Sequence, residues 1–432
     1  MFARRIAVIG TGYVGLTTGA CLASLGHHVV CADIDEAKVA RLRAGEVDIL
    51  EPGLPELVAE GMAAGRLAFV LGATAAVTRE AGAEIVFLCV PTPMGEGGAA
   101  DLAAVQAVTD EVGALLAPGC VVVNKSTVPV GTAATTREML GRTDVAVVSN
   151  PEFLREGSAV HDFLNPDRIV VGSDSQEAAE RVAALYSRLG APTQLTDAAS
   201  AEMVKYAANC FLAMKLSYVN SLADLCERLG ADVLEVTEGM GYDRRIGQTF
   251  LSPGPGWGGS CFPKDTNALL QIADAAGMDF ELVRASLNVN AATRALVVDK
   301  VRAAVGGSLD GVRVGLLGLT FKAGTDDLRD SPALAVAALL RAEGAVLTGY
   351  DPAHAVGVPG VTDDVEVVDD PLAAAKGAAA LVVLTDWPQF RTLDWNALGG
   401  VAAVSMVVDA RNLLDADILR RAGFTWIGLG RG

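Results

Sequence analysis

Apolar residues in this chain gather in short, near-continuous runs separated by helical patterns. Ile6–Ile9, His28–Ala32, Ile85–Val90, Val121–Asn124, Val145–Ser149 and Ile169–Gly172 each read as a strand buried on both faces. Between most of them, apolar and small residues recur at helical spacing, first from Gly10 to Leu25, with Gly26 as the stop. Strands alternating with helices predict a parallel sheet covered on both sides. From Ala199 the pattern changes. Ala201–Leu229 is a long helical stretch without Pro or Gly, and helical segments continue to about Val305, broken by the loop Pro253–Gly259. At Gly311 the alternation resumes, with a strand at Val312–Leu317, a helix at Ser331–Glu343, a strand at Ala345–Tyr350 and then Asp351-Pro352. Leu381–Thr385 and Val404–Asp409 read as later strands. This half weakly repeats the opening unit, with only Gly315 and Gly318 of its glycine set. The predicted fold is α/β: two Rossmann-like, doubly wound parallel-sheet domains, residues 1–198 and 306–432, joined by a helical middle domain, 199–305, built on one long helix. Ligand crevices are expected at the strands' carboxyl ends, facing each other.

Composition narrows the classes. At 432 residues the chain holds two or three domains, and 51% hydrophobic against 20% charged residues fits globular cores. No apolar run reaches the length of a bilayer span, and MFARRIAVIG leads into a strand, so neither a membrane anchor nor a signal peptide is expected and the cytoplasm is the expected compartment. A net charge of −18 argues against a general nucleic-acid binder but leaves room for a small anionic ligand, which feels the local field. The seven cysteines are odd in number and contain no C-x-x-C, and the four histidines lack ligand spacing; no disulfide framework and no metal are expected. Cys31, Cys89 and Cys120 sit in apolar runs as small core residues.

Gly10-Thr11-Gly12-Tyr13-Val14-Gly15 is G-x-G-x-x-G placed directly after a strand and opening a helix. Gly10 permits the tight turn, Gly12 lets the backbone approach a pyrophosphate, and Gly15 allows close helix–strand packing. Asp33 closes the second strand, where a carboxylate accepts from a ribose diol and repels a 2′-phosphate, so NAD is expected rather than NADP.

Three further patterns carry chemistry. Cys261 lies in GPGWGGSCFPKD, Gly254–Asp265, just before a proline suited to a first helical turn. A helix N-terminus and Lys264 favour a thiolate there, with Gly258 and Gly259 leaving room for a substrate carbon; a small buried turn residue fits the same residues equally well. Lys205 and Asn209, at i and i+4, share a helix face that either orients an oxygen or faces water. Asn150–Gly157, NPEFLREG, follows a strand end, where Glu152 and Glu156 serve as base or water-positioning groups or stand as ordinary exposed carboxylates.

Taken in order, these motifs resemble the UDP-glucose 6-dehydrogenase family of nucleotide-sugar 6-dehydrogenases over nearly the whole chain. The resemblance is carried by GTGYVGL (Gly10–Leu16), DID (Asp33–Asp35), PTP (Pro91–Pro93), KSTVPVGT (Lys125–Thr132), NPEFLREG, EMVKYAANCFLAMKLSYVN (Glu202–Asn220), RIG (Arg245–Gly247), GGSCFPKD (Gly258–Asp265) and GLTFKAGTDDLRDSP (Gly318–Pro332). It implies a four-electron oxidation of UDP-glucose to UDP-glucuronate with two NAD and water, through an aldehyde, a thiohemiacetal and a thioester on Cys261. By the same match, Lys205 and Asn209 stabilise oxyanions, Asp265 assists proton transfer, Glu152 is the base for hydrolysis, and Thr127 orients the nicotinamide side or the water. Gly10, Gly12, Tyr13, Val14, Gly15, Asp33, Lys38, Thr92, Thr127, Glu156, Lys264 and Arg329 are implied near NAD. Phe153, Leu154, Lys205, Asn209, Phe250, Leu251, Gly258, Phe321, Lys322 and Arg411 are implied at the nucleotide sugar, together with Arg245, which reaches across from a neighbouring subunit of a homodimer formed through the middle helices. Trp257, where Phe or Tyr is more usual, and Cys210, in place of a small residue, depart from the pattern. GDP-mannose 6-dehydrogenase is the nearest alternative. A two-electron hydroxyacid dehydrogenase has no use for Cys261, and a non-catalytic sensor none for the whole set. Ser260 stands where the UDP-N-acetylmannosamine enzymes tend to carry His.

Overall fold

The computed structural model describes residues 3–78, 82–93, 95, 100–354 and 364–431, and its chain divides into two compact units. The first comprises Met1–Ala208 and Asn267–Ala276. Its strands are β1 (Arg5–Ile9), β2 (His28–Asp33), β3 (Leu67–Leu71), β4 (Ile85–Leu88), β5 (Val121–Asn124), β6 (Ala146–Ser149), β7 (Ile169–Gly172) and β8 (Thr193–Thr196), in the sheet order β3-β2-β1-β4-β5-β6-β7-β8. Pairing is parallel through β6. β7 then enters antiparallel through Ser149↔Gly172, and β8 runs parallel to β7. Along β1, Ile6 and Val8 belong to one buried core and Ala7 and Ile9 to another, one on each face. Double burial is why the strand reads as an unbroken apolar run. The strand order reverses between β1 and β4, and an open sheet holds its ligand outside the carboxyl ends at such a switch point.

The second unit comprises Asn209–Thr266 and Gly277–Gly432. Its sheet is parallel throughout: β9 (Arg313–Leu317), β10 (Val346–Tyr350), β11 (Glu366–Val367), β12 (Ala380–Val383), β13 (Met406–Asp409) and β14 (Thr425–Gly428), in the order β11-β10-β9-β12-β13-β14. Val314 and Leu316 enter one core and Leu317 and Val383 the other, so this sheet is also covered on both faces. The long helix runs Ala198–Leu229, three residues longer at its start than its apolar pattern indicates. The repeat seen in the sequence is structural. Gly318 turns the chain after β9 with φ 93° and donates its amide to Tyr350 O (2.8 Å), as Gly10 (φ 96°) does to Ala32 O (2.8 Å) after β1.

β3, β8, β11 and β14 were not expected from the apolar pattern, and all four are sheet edges. β3 has Leu67, Phe69 and Val70 buried, an apolar signal that was present and missed. β8, Thr-Gln-Leu-Thr, has no buried residue at all, so it carries no continuous apolar signal.

Candidate active site

At the end of β1, Gly10 needs both its positive φ and its missing side chain, since a Cβ there would stand 2.5 Å from the Cys89 carbonyl oxygen. A Cβ on Gly15 would strike the Gly10 carbonyl, which is the close approach expected of the motif's third glycine. Gly12 differs: a Cβ on it meets nothing within 4 Å, and it N-caps the helix Tyr13–Ser24 with no side-chain cap. Open space at Gly12 beside an uncapped helix N-terminus leaves room for an anion such as a pyrophosphate. Thr11 donates its amide (2.9 Å) and its hydroxyl (2.5 Å) to Asp33 Oδ2, and the Asp35 amide donates to Oδ1 (3.1 Å). Burial alone would raise the Asp33 pKa; these donors and the Lys38 ammonium, 3.9 Å away, instead hold it below the usual carboxylate range. An ionised acceptor beside an open helix N-terminus fits NAD. Val14 packs into the core, and the Tyr13 phenol is driven away from ionisation by burial and then by Glu51, Glu156, Glu152 and Asp162. Thr92 donates its hydroxyl to the Thr127 carbonyl (2.8 Å), tying the segment after β4 to the one after β5.

In the same unit, Glu152 and Lys205 form a buried ion pair, 6% and 3% exposed. Lys205 Nζ donates to Glu152 Oε1 (2.8 Å) and to the Glu152 carbonyl (2.7 Å), while the Leu154 amide donates to Oε2 (2.7 Å). Burial pushes the Glu152 pKa up, but Lys205, the Leu154 amide and Lys125 outweigh it and hold the carboxyl below its ordinary value. Phe153 has the Arg168 guanidinium 3.6 Å from its ring centroid and the Lys205 ammonium 5.5 Å away.

In the second unit lies Cys261, directly before the start of the helix Phe262–Ala275, and its carbonyl accepts the Asp265 amide (2.8 Å). The thiol therefore sits at the N-terminal end, where amides and dipole favour a thiolate. Cys261 is partly exposed and the other six cysteines are buried. Burial pushes the Cys21, Cys89 and Cys210 thiols up to about 12, which leaves them inert at neutral pH. Asp265 is fully buried, with Oδ2 accepting from Asn209 Nδ2 (2.6 Å) and Oδ1 from Lys264 Nζ (2.8 Å). Lys264 thus directs its ammonium to Asp265. Cys210 donates its thiol to the Asp265 carbonyl (3.6 Å), a packing contact for the residue that departs from the pattern. The other departure, Trp257, is buried and donates its indole N–H to Ser217 Oγ (2.9 Å).

The glycines of the same loop are packed against other segments of this unit. A Cβ on Gly258 would collide with the Asp330 carbonyl, and one on Gly259 would lie 2.7 Å from the Phe321 ring. Both glycines are therefore required by packing inside the protein, a reason that loop composition did not reveal. Phe250 adopts φ 60° beside Phe262, with centroids 6.4 Å apart, and Leu251 is buried. Arg411 donates to the Leu384 carbonyl (2.8 Å) and the Phe321 carbonyl (3.4 Å), and Lys322 lies 5.4 Å from the Phe321 ring centroid. Arg329 pairs with Asp327 and Arg245 with Asp243. Asp351 occupies the place in this half that Asp33 holds in the first. Its Oδ2 accepts from the amides of Leu319 (2.7 Å) and Thr320 (3.0 Å), the Thr320 hydroxyl (3.1 Å) and Trp387 Nε1 (3.2 Å), and it is buried.

Comparison with known proteins gives three consecutive matches to the UDP-glucose/GDP-mannose dehydrogenase family: its NAD binding domain at residues 4–190, its central domain at 199–292 and its UDP binding domain at 315–416. The chain belongs to this family. The UDP-glucose 6-dehydrogenase of Rhizobium meliloti is 45% identical, with 99% of each chain covered. UDP-glucose 6-dehydrogenase TuaD of Bacillus subtilis is 43% identical, covering 99% of this chain and 93% of its own. Among solved structures, a UDP-glucose dehydrogenase from the hyperthermophilic archaeon Pyrobaculum islandicum superposes with a TM-score of 0.90 at 38% identity, covering 100% of this chain and 98% of its own.

Membership in the UDP-glucose/GDP-mannose dehydrogenase family makes the protein an NAD-dependent oxidoreductase with a nucleotide-sugar domain. Among the described residues, no helix is long and apolar enough to cross a membrane, and no His, Cys, Asp and Glu cluster has the form of a metal site. Several residues that support the site escaped sequence reasoning. Thr11 stands at a variable position of the glycine motif yet fixes Asp33. Glu51 accepts from the amides of Gly157 (2.8 Å) and Val160 (3.3 Å), holding the end of the NPEFLREG loop. Glu202 accepts from the amides of Gly131 (2.7 Å) and Ala133 (2.9 Å) and the Ser149 hydroxyl (2.8 Å). Glu202 and Lys125 each open a motif quoted above, which was the available signal. Glu51 had none.

Proposed function

We propose that the protein oxidises UDP-glucose at C6 to UDP-glucuronate in two successive oxidations and a hydrolysis. The observation that carries this reading is the single partly exposed thiol at a helix N-terminus, in a chain whose other cysteines are buried. The Gly10–Gly15 turn and Asp33 would hold NAD, which would supply the hydride acceptor for each oxidation. Lys205 and Asn209 donate hydrogen bonds to the C6 oxygen as it gains negative charge, and Asp265 receives its proton through water. Once C6 is an aldehyde, the Cys261 thiolate forms a C–S bond to it and the aldehyde oxygen takes a proton, giving a thiohemiacetal that still carries a C–H. After the second oxidation the carbon is a thioester. The Glu152 carboxylate then draws a proton from water, the water oxygen bonds to C6, and the C–S bond breaks with Cys261 leaving as thiolate. The nucleotide end falls to Phe250, Leu251, Lys322 and Arg411, two apolar side chains and two cations in a chain of net charge −18.

The homodimer belongs to the same reading. Phe211, Tyr218, Leu225 and Leu229 lie at near-heptad spacing along the long helix, and each is at least half exposed, an apolar stripe suited to a second copy. The side chain of Arg245 is 89% exposed, which supports a reach to the partner's site.

A panel of UDP- and GDP-sugars with NADH counted per mole of sugar tests the function. UDP-glucose is expected to yield two NADH. One NADH with accumulating aldehyde overturns the mechanism, and turnover of GDP-mannose in its place overturns the substrate. Light scattering of the same preparation is expected to give twice the chain mass of 44.4 kDa; a mass of one chain removes the dimer.

A further inference from the structure

Lys125 is a third buried charge beside Glu152 and Lys205, and the reaction as written gives it no task. It follows β5 as Asn150 follows β6; those strand ends are paired (Asn124↔Ser149), and Asn150 N donates to Asn124 O (3.0 Å). Lys125 is 5% exposed. Its ammonium donates to Asn150 Oδ1 (3.1 Å) and lies 5.6 Å from the Tyr186 ring centroid. The orientation of the Asn150 amide is fixed from both ends, because the Tyr186 hydroxyl donates to the same Oδ1 (2.6 Å) and Nδ2 donates to the Val170 carbonyl (2.8 Å). An enclosed ammonium whose hydrogen-bond acceptor is a neutral amide is unfavourable to fold. The charged and titratable groups that face it are Glu152 from the β6 loop, Cys89 after β4 and Lys205 from the long helix, while Tyr186 comes from the turn after the helix Gln176–Ala183. Only Glu152 is an ionised carboxylate among them.

We propose that Lys125 is a positioning residue for Glu152, a fixed second cation that keeps this carboxylate ionised when Lys205 turns its ammonium toward the substrate. The inference rests on the reading of Glu152 as the base for thioester hydrolysis. In the resting protein Lys205 holds one Glu152 oxygen and the Leu154 amide the other. When Lys205 donates to the C6 oxygen instead, burial would push Glu152 toward its protonated form, and a protonated Glu152 cannot activate water. Lys125 is anchored to Asn150, one residue before Pro151-Glu152, and does not leave with the substrate. The two lysines divide the work, one mobile and one permanent. Burial pulls the Lys125 pKa down to about 8, so it remains largely charged at neutral pH, with Glu152 as the group that favours its charge.

Lys125→Met keeps most of the apolar length of the side chain while removing the charge. Single-turnover hydrolysis of the thioester, followed from about pH 4 to pH 9, is expected to lose its activity on the acid side at a pH about one unit higher than in the wild type, with the first oxidation unchanged within about twofold. Tyr186→Phe is the control, since it loosens Asn150 and leaves the ammonium; its acid limb is expected to stay at the wild-type position. The fold gives an independent readout. A lysine whose pKa is lower in the folded than in the unfolded state opposes folding below its folded value, and the opposition fades as pH rises between about 8 and 10.5. Lys125→Met is therefore expected to melt above the wild type at pH 7, with the gap closing by about pH 10. An unmoved acid limb in Lys125→Met, or an equal shift in Tyr186→Phe, overturns the proposal. Should Lys125→Met fail to fold, Lys125→Gln, which can still donate to Asn150, must show the same shift. Wild-type hydrolysis rates in Glu152→Gln would instead overturn the reading of Glu152 itself, whatever Lys125 does.

Discussion

Cys261→Ser stops the reaction halfway. Formation of the uronate is expected to fall by at least about 10³-fold, while a residual first oxidation yields material at the aldehyde level and the NADH count drops from two per sugar toward one. The substitution removes one sulfur and leaves the helix Phe262–Ala275 and its first-turn bond from the Asp265 amide in place. The loss is therefore chemical. A helix N-terminus favours a thiolate, whereas a serine hydroxyl stays protonated at neutral pH and is the poorer nucleophile. Undiminished uronate production by the serine variant would refute the covalent route.

Lys205→Met is the second large effect, and it falls on stability as well as on turnover. It strands Glu152, 6% exposed, without its principal counter-charge, and breaking one side of a buried pair costs about 3–5 kcal/mol. The sign of the pH dependence follows from the direction of the shift. The folded Glu152 carboxyl lies below its ordinary value, so the ionised pair stabilises the fold at pH values above that ordinary value, 4.5, and the contribution is lost as pH falls through the depressed folded value. Without Lys205, only the Leu154 amide and Lys125 oppose burial, so the carboxyl rises from its depressed position and keeping it ionised costs more as pH rises. The gap in melting temperature between wild type and Lys205→Met should therefore be wide at pH 7 and narrow toward about pH 4. Adding Glu152→Gln to Lys205→Met should restore much of the stability, because a neutral amide can remain buried. A gap that stays constant across this range would show that the two charges do not depend on each other.

Much of the fold was legible because burial on both faces writes itself into consecutive residues. Val121–Asn124 and Ile169–Gly172 were read with the bounds they have in the structure. Two edge strands escaped for the opposite reason: Thr193–Thr196 offers nothing to a core, and the two residues of β11 are too few to form a pattern. The start of the helix after Cys261 was read to within a residue from Pro263 alone. The partnerships were not legible. Glu152 and Lys205 are separated by 53 positions and Asn209 and Asp265 by 56, and no local pattern tells a buried lysine from one on a solvated face. Motif order made these residues candidates, and three-dimensional contact supplied the pairings. The reason for Gly258 and Gly259 was invisible for the same cause, since the atoms that exclude a side chain come from Asp330 and Phe321, far along the chain.

Asp351 has a kinetic consequence. Its carboxylate is buried and accepts from the turn at Gly318, from Trp387 and from the Ala353 amide, so the second Rossmann-like half repeats the shape of the first with its aspartate enclosed rather than presented to a ribose. Among the described residues, then, one glycine-rich turn serves a reaction that withdraws two electron pairs from a single carbon. Spent cofactor has to be exchanged for fresh while that carbon is only half oxidised. On the proposed covalent route, the sulfur–carbon bond at Cys261 would have to outlast the dwell time of one departing cofactor, which makes cofactor residence the clock against which the tether has to be stable.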